Sequence, residues 1–140
     1  MSQNLLWTHE TALAPVTTSA SEARAFVQAH LVEHGLSYLV EDVRLVVSEL
    51  VTNAVLHART PLTLRIEGLH FCVMVSVQDQ SPSVPVVTDE DRDATSGRGL
   101  DIIEQFSDFW GLDAGTDGGK SVWASFARRP VLMTSRSSIA

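Results

Sequence analysis

Glu49, Asn53 and His57 follow one another at intervals of four residues. On a helix that spacing sets them along one side, within an arc of about 80°. A carboxylate and an amide oxygen one turn apart suit two tasks. The first is general-base activation of a hydroxyl or a water, and the second is holding a hard cation such as Mg²⁺. A solvated polar face accounts for the same residues, and His57 alone equally suits a helix end or a packing contact. Asp79 is a second element. It follows an apolar run and precedes Gln80-Ser81-Pro82. A carboxylate at a buried strand end can accept from an exocyclic amine and so select adenine, while Asp-x-Ser-Pro also makes a good turn. The third element is Gly97-Arg98-Gly99-Leu100. Two glycines before a helix let backbone N–H groups approach an anion, and the helix N-terminus adds favourable partial charge. The same glycines can simply end a loop.

These groups need elements to position them. Leu5-Leu6-Trp7 opens a strand expected over 5–11, and Ser19 or Ser21 can cap a helix over 20–34 that stops at Gly35. A longer helix is expected over 38–58, with Val43, Val47, Leu50, Val51, Ala54 and Ala58 on its buried side and Pro61 beyond its end. Strands at 62–67 and 71–77 follow, turning at Gly68-Leu69-His70. Residues 80–96 read as a lid-like loop carrying the acidic cluster 89–93. A short helix over 97–106 and a hairpin of strands 109–112 and 121–126 complete the domain, and the tail 129–140 is expected to be flexible. The order β-α-α-β-β-α-β-β predicts an α+β fold: one domain over 1–128, built as a two-layer α/β sandwich with helices on one face of a mixed sheet.

Composition narrows the chemistry. Ten basic against 17 acidic side chains give a net charge of −7, which disfavours direct nucleic-acid binding. Nine of the ten basic residues are arginines, so any scheme that needs a lysine must use Lys120. The single cysteine, Cys72, excludes an internal disulfide framework and a multi-thiolate metal site, and is expected to be a buried small hydrophobe. Residues 1–23 carry no basic side chain and no run approaches about 18 apolar residues, so neither a secretory leader nor a membrane segment is expected. A cytoplasmic location is the corresponding expectation.

Two phosphate motifs fail on inspection. Gly119-Lys120-Ser121 ends like a P-loop, but Ala114 stands where the first glycine is required and a strand rather than a helix follows. Gly97-Arg98-Gly99 opens like a dinucleotide fingerprint, but Ile102 stands at its third glycine.

The motifs taken in order carry a resemblance. Ser48-Glu49-Leu50-Val51-Thr52-Asn53-Ala54-Val55-Leu56-His57-Ala58, then Asp79-Gln80-Ser81-Pro82, Gly97-Arg98-Gly99-Leu100 and Gly119-Lys120-Ser121-Val122-Trp123 follow one another over roughly residues 5–128. The chain resembles the ATP-binding domain of the GHKL superfamily, and most closely the anti-sigma-factor serine/threonine kinases and their stand-alone relatives. The resemblance implies a Bergerat-type fold with ATP and Mg²⁺ as cofactors. It implies that Glu49 is the general base, that Asn53 is the Mg²⁺ ligand and that Asp79 binds the adenine amine. Gly97, Arg98, Gly99 and Leu100 would form the phosphate-side end of the lid. Ser121 would stand near the base-binding floor, with His57 and Ser81 also lining the site. Ser81 and Ser83 occupy positions where the superfamily has glycine. The implied activity is phosphoryl transfer to an anti-sigma-factor antagonist, with a sigma factor as the other partner and a homodimer as the assembly. The alternative is a partner-switching ATP-binding module without turnover.

Overall fold

The computed structural model describes residues 4–81, 95–114 and 119–129. The expected lid cluster 89–93, Ser83 and the tail from 130 lie outside the described residues. β1 (Leu5–Leu13) leads to α1 (Ser19–Glu33), a 3-10 turn (Ser37–Leu39) and α2 (Val40–His57). Then come β2 (Leu62–Leu69), β3 (Cys72–Asp79), α3 (Thr95–Phe106), β4 (Phe109–Ala114) and β5 (Lys120–Ala127).

The strands form one sheet in the order β1-β2-β3-β5-β4. Every neighbouring pair is antiparallel, where a mixed sheet was expected. The reason lies in the last hairpin. β5 inserts between β3 and β4, so the crossover through α3 joins two strands that run the same way without touching.

Alternation along the strands divides the sheet into two faces. Leu62, Leu64 and Ile66 of β2, Val73, Val75 and Val77 of β3, and Ala124 and Phe126 of β5 are buried on one face. Against them pack Val27 and Leu31 of α1, Val43, Val46, Val47, Leu50 and Val51 of α2, and Ile103 of α3. The result is the expected two-layer α+β architecture. The other face carries Arg65, Gln78 and Ser121 in their strands' opposite phase.

Local expectations moved where tertiary contacts intervened. Ser19 does not cap α1: it is the first helical residue, and its hydroxyl donates to the Ala14 carbonyl at 2.6 Å. Gly35 does end α1, at φ +75°, in a Schellman motif. In it Gly35 N–H bonds the Val32 carbonyl at 3.1 Å and Leu36 N–H the Leu31 carbonyl at 2.8 Å. Gly68 is not in the turn of the first hairpin but inside β2, directly beneath the Trp7 indole. The turn is the two-residue step His70-Phe71. Cys72 is half-buried at the start of β3.

Candidate functional site

Strand directions bring the sequence motifs to one end of the molecule. α2 ends at His57 and is followed by β2, whose first residues pair with the last residues of β3 (Thr63 with Gln78). Asp79 closes β3 and stands opposite Lys120, the first residue of β5. β4 runs with β3, so α3, which connects them, begins at this same end. The C-terminal half of α2, the end of β3, the start of β5 and the N-terminus of α3 therefore share one edge of the sandwich. A hydrogen bond from Gln80 N–H to Thr60 Oγ1 at 3.0 Å ties the α2–β2 connection to the end of β3.

Glu49 and Asn53 are half-buried on α2, and His57 is exposed in its last turn. By helical spacing this row borders the buried stripe that contains Val46 and Leu50, which is why neither Glu49 nor Asn53 is fully solvated. Four residues of helix span about 6 Å, so the two oxygens are placed to serve different parts of one extended ligand. Gly97, Arg98 and Gly99 lie inside α3, as its third to fifth residues, rather than ahead of it. Counted from the N-cap, the first four N–H groups of a helix lack an intrahelical acceptor, so Gly97 is the last of them while Arg98 and Gly99 enter the helix's own ladder. Leu100 packs on the core. Ser121 is apart from this group. It pairs with Gln78 in register, on the sheet face opposite that of Asp79.

Asp79 is 3 % exposed and already well coordinated. Its Oδ1 accepts from Ser81 N–H at 2.8 Å and from Lys120 Nζ at 3.1 Å, and Oδ2 lies 3.1 Å from the same ammonium. The Ser81 contact is the Asx turn that Asp-x-Ser-Pro favours. The Lys120 contact is a buried ion pair, and among the described residues no buried side-chain polar atom lacks a partner. Sequence reasoning weighed Lys120 as a phosphate lysine and as part of the last motif, not as the partner of Asp79. The signal that would have found it is period-two alternation: Lys120, Val122, Ala124 and Phe126 share a phase, so the one lysine falls on the inner face of β5.

The donors fit the ligand the motifs imply. Asn53 offers a hard amide oxygen suited to Mg²⁺, and Glu49 a carboxylate suited to a general base. A carboxylate has about four lone-pair sites, of which Ser81 and Lys120 use three, so Asp79 retains acceptor capacity for one exocyclic amine. An open cleft of about 450 Å³ lies at the opposite end of the sandwich, between Tyr38, Asp42, Ser107 and Arg128, and none of the candidate residues lines it. Among the described residues no helix is long and apolar enough to cross a membrane.

Comparison with known proteins agrees with this fold. Residues 13–126 match the histidine kinase-like ATPase domain. The fold is similar to the RsbU and RsbW domains of Rv1364c from Mycobacterium tuberculosis, with a TM-score of 0.63 at 20 % identity, covering 89 % of this chain and 33 % of that one. This chain thus spans about a third of the length of that solved chain. It is also similar to a chain of the SiaB–SiaC complex from Pseudomonas aeruginosa, with a TM-score of 0.54 at 18 % identity, covering 89 % and 92 % of the two chains. No curated protein matches.

Proposed function

Because the chain belongs to the histidine kinase-like ATPase domain family, we propose that it is an ATP-dependent regulatory protein. In this reading it transfers phosphate to a serine or threonine of an anti-sigma-factor antagonist and sequesters a sigma factor. The observation that carries the reading is the convergence at one end of the sandwich of Glu49 and Asn53 on α2, Asp79 on β3 and the N-terminus of α3. The relatives support the setting, since one contains an RsbW domain and another was solved in complex with a partner protein.

Each residue has a defined task in this reading. Asp79 accepts the adenine amine with its remaining lone pair. Asn53 gives its amide oxygen to Mg²⁺, which when bound neutralises phosphate charge. The N-terminus of α3, with the backbone N–H of Gly97, faces the phosphates. Glu49 takes the proton from the attacking hydroxyl. Phosphoryl transfer needs little covalent participation, so positioning and charge stabilisation suffice. With a net charge of −7 and its one lysine committed to Asp79, the chain has no lysine free to bind phosphate, and binding depends on the metal.

A second reading, partner switching without turnover, draws on the Lys120–Asp79 pair. If the ammonium stays in place, adenine must share a carboxylate that is nearly sealed. Transfer of labelled phosphate from ATP to a cognate antagonist separates the two. Transfer that is lost in Glu49→Ala, with ATP binding kept, supports the kinase. Tight ATP binding with no transfer supports the switching module.

A further inference from the structure

Three histidines and a glutamate meet where β1 lies over the C-terminal end of α1, remote from the nucleotide end. Alternation along β1 sends Trp7 and His9 to the helix face, and helical spacing stacks His30, Glu33 and His34 on one side of the last turn of α1. His9 Nε2 lies 2.9 Å from His34 Nε2, and Glu33 Oε1 lies 3.7 Å from each of these nitrogens. His30 Nδ1 lies 2.8 Å from the same carboxylate oxygen.

The three atoms contributed by His9, Glu33 and His34 form a triangle of the size a tetrahedral zinc ion requires. With Zn–N and Zn–O bonds of about 2.0–2.1 Å, neighbouring ligand atoms stand about 3.3 Å apart, midway between the observed separations. His30 does not belong to this triangle. Its ring is stacked on that of His9 at 3.7 Å and 11°, so their in-plane lone pairs run in parallel planes and cannot meet at one ion. The His9 and His34 rings are inclined by 37° and their nitrogens face each other at 2.9 Å, the spacing of an N–H···N hydrogen bond, so zinc would displace that proton and both rings would swing in plane to turn their lone pairs to one ion. His30 instead donates from Nδ1 to Glu33 and so orients it, the usual arrangement around a ligating carboxylate.

Other features hold the rings in place. Trp7 stacks on His34 at 3.9 Å and 2°, and His30 backs His9. The three imidazoles are only 24–28 % exposed, while Glu33 is open to solvent at 56 %, leaving a route for the ion. The C-terminus of α1 favours a cation through its helix dipole.

We propose that this cluster is a zinc-binding site, with His9, Glu33 and His34 as ligands, a water in the fourth position and His30 as the residue that orients Glu33. The ion would fasten the edge strand β1 to α1. The site uses none of the residues assigned to the nucleotide, so it stands or falls independently of the kinase reading.

The test is calorimetric titration of the tag-free, metal-stripped full chain with Zn²⁺ alone, followed by Co²⁺ as a spectroscopic substitute. One zinc per chain is expected, together with the intense visible bands of tetrahedral cobalt. His9→Ala and His34→Ala should abolish the binding, and His30→Ala should weaken it by about 10- to 100-fold, whereas His70→Ala should leave it intact. Glu33→Gln, at an exposed position, tests the carboxylate without risk to the fold and should also weaken binding. No zinc binding, octahedral cobalt, or binding that survives His34→Ala or Glu33→Gln unchanged would overturn the proposal.

Discussion

Replacing Lys120 by methionine keeps most of the side-chain volume and removes the ammonium that faces a buried carboxylate. At the observed 3.1 Å, and with an effective dielectric of about 20, the Coulomb attraction is about 5 kcal/mol. Desolvation of both ions offsets much of it, so the intact pair adds little net stability. Removing one partner is different, because Asp79 stays in the core without its counter-charge. Such losses run to about 3–5 kcal/mol. The lower part of that range applies, since Ser81 N–H still donates to Oδ1 at 2.8 Å. Out of a total of about 5–15 kcal/mol, a loss near 3 kcal/mol is large. For a domain of this size it corresponds to a Tm about 10 °C lower. Urea unfolding of Lys120→Met, Asp79→Leu and the double variant measures it directly. The double variant should recover to within about 1 kcal/mol of the parent, because an apolar pair replaces the ion pair. A single variant that loses under about 1 kcal/mol, or a double variant no better than the single, would refute the buried-pair argument.

Three further outcomes follow from backbone and packing. Gly68→Ala should cost about 1–3 kcal/mol in thermal unfolding and alter the near-ultraviolet signal of tryptophan, because the added Cβ would meet the Trp7 indole at 2.1 Å. Gly35→Ala should cost about 1 kcal/mol, since φ +75° at the end of α1 suits glycine. Arg59→Gly should raise stability by about 0.5–1 kcal/mol by relieving a non-glycine residue at φ +55° just after α2, a gain readable in the urea midpoint.

The helices were legible in the sequence because their signals are local. Val43, Val47, Leu50 and Val51 recur at helical spacing, and Gly35 and Pro61 mark the stops, so α1 and α2 fall within two residues of expectation. The antiparallel sheet was not legible, because strand order depends on β5 threading between β3 and β4, a choice made by tertiary packing. Gly68 reads as a turn residue in the sequence, yet it stays inside β2 where Trp7 needs the space. The candidate site was partly legible: the four-residue spacing of Glu49 and Asn53 is a local pattern that survives folding. The partnership of Asp79 with Lys120 was not, since 41 residues and a strand pairing separate the two. The histidine cluster was hidden for the same reason, as His9 and His34 meet across 25 residues.

The central claim is that α2 presents Asn53 to the metal of a bound nucleotide. Calorimetric titration of the chain with ATP, with and without Mg²⁺, and of Asn53→Ala under the same conditions, tests it most directly. One ATP per chain should bind, only with Mg²⁺, and binding should be lost in Asn53→Ala while the fold is retained. ATP binding that is indifferent to Mg²⁺, or equal affinity in Asn53→Ala, would contradict it.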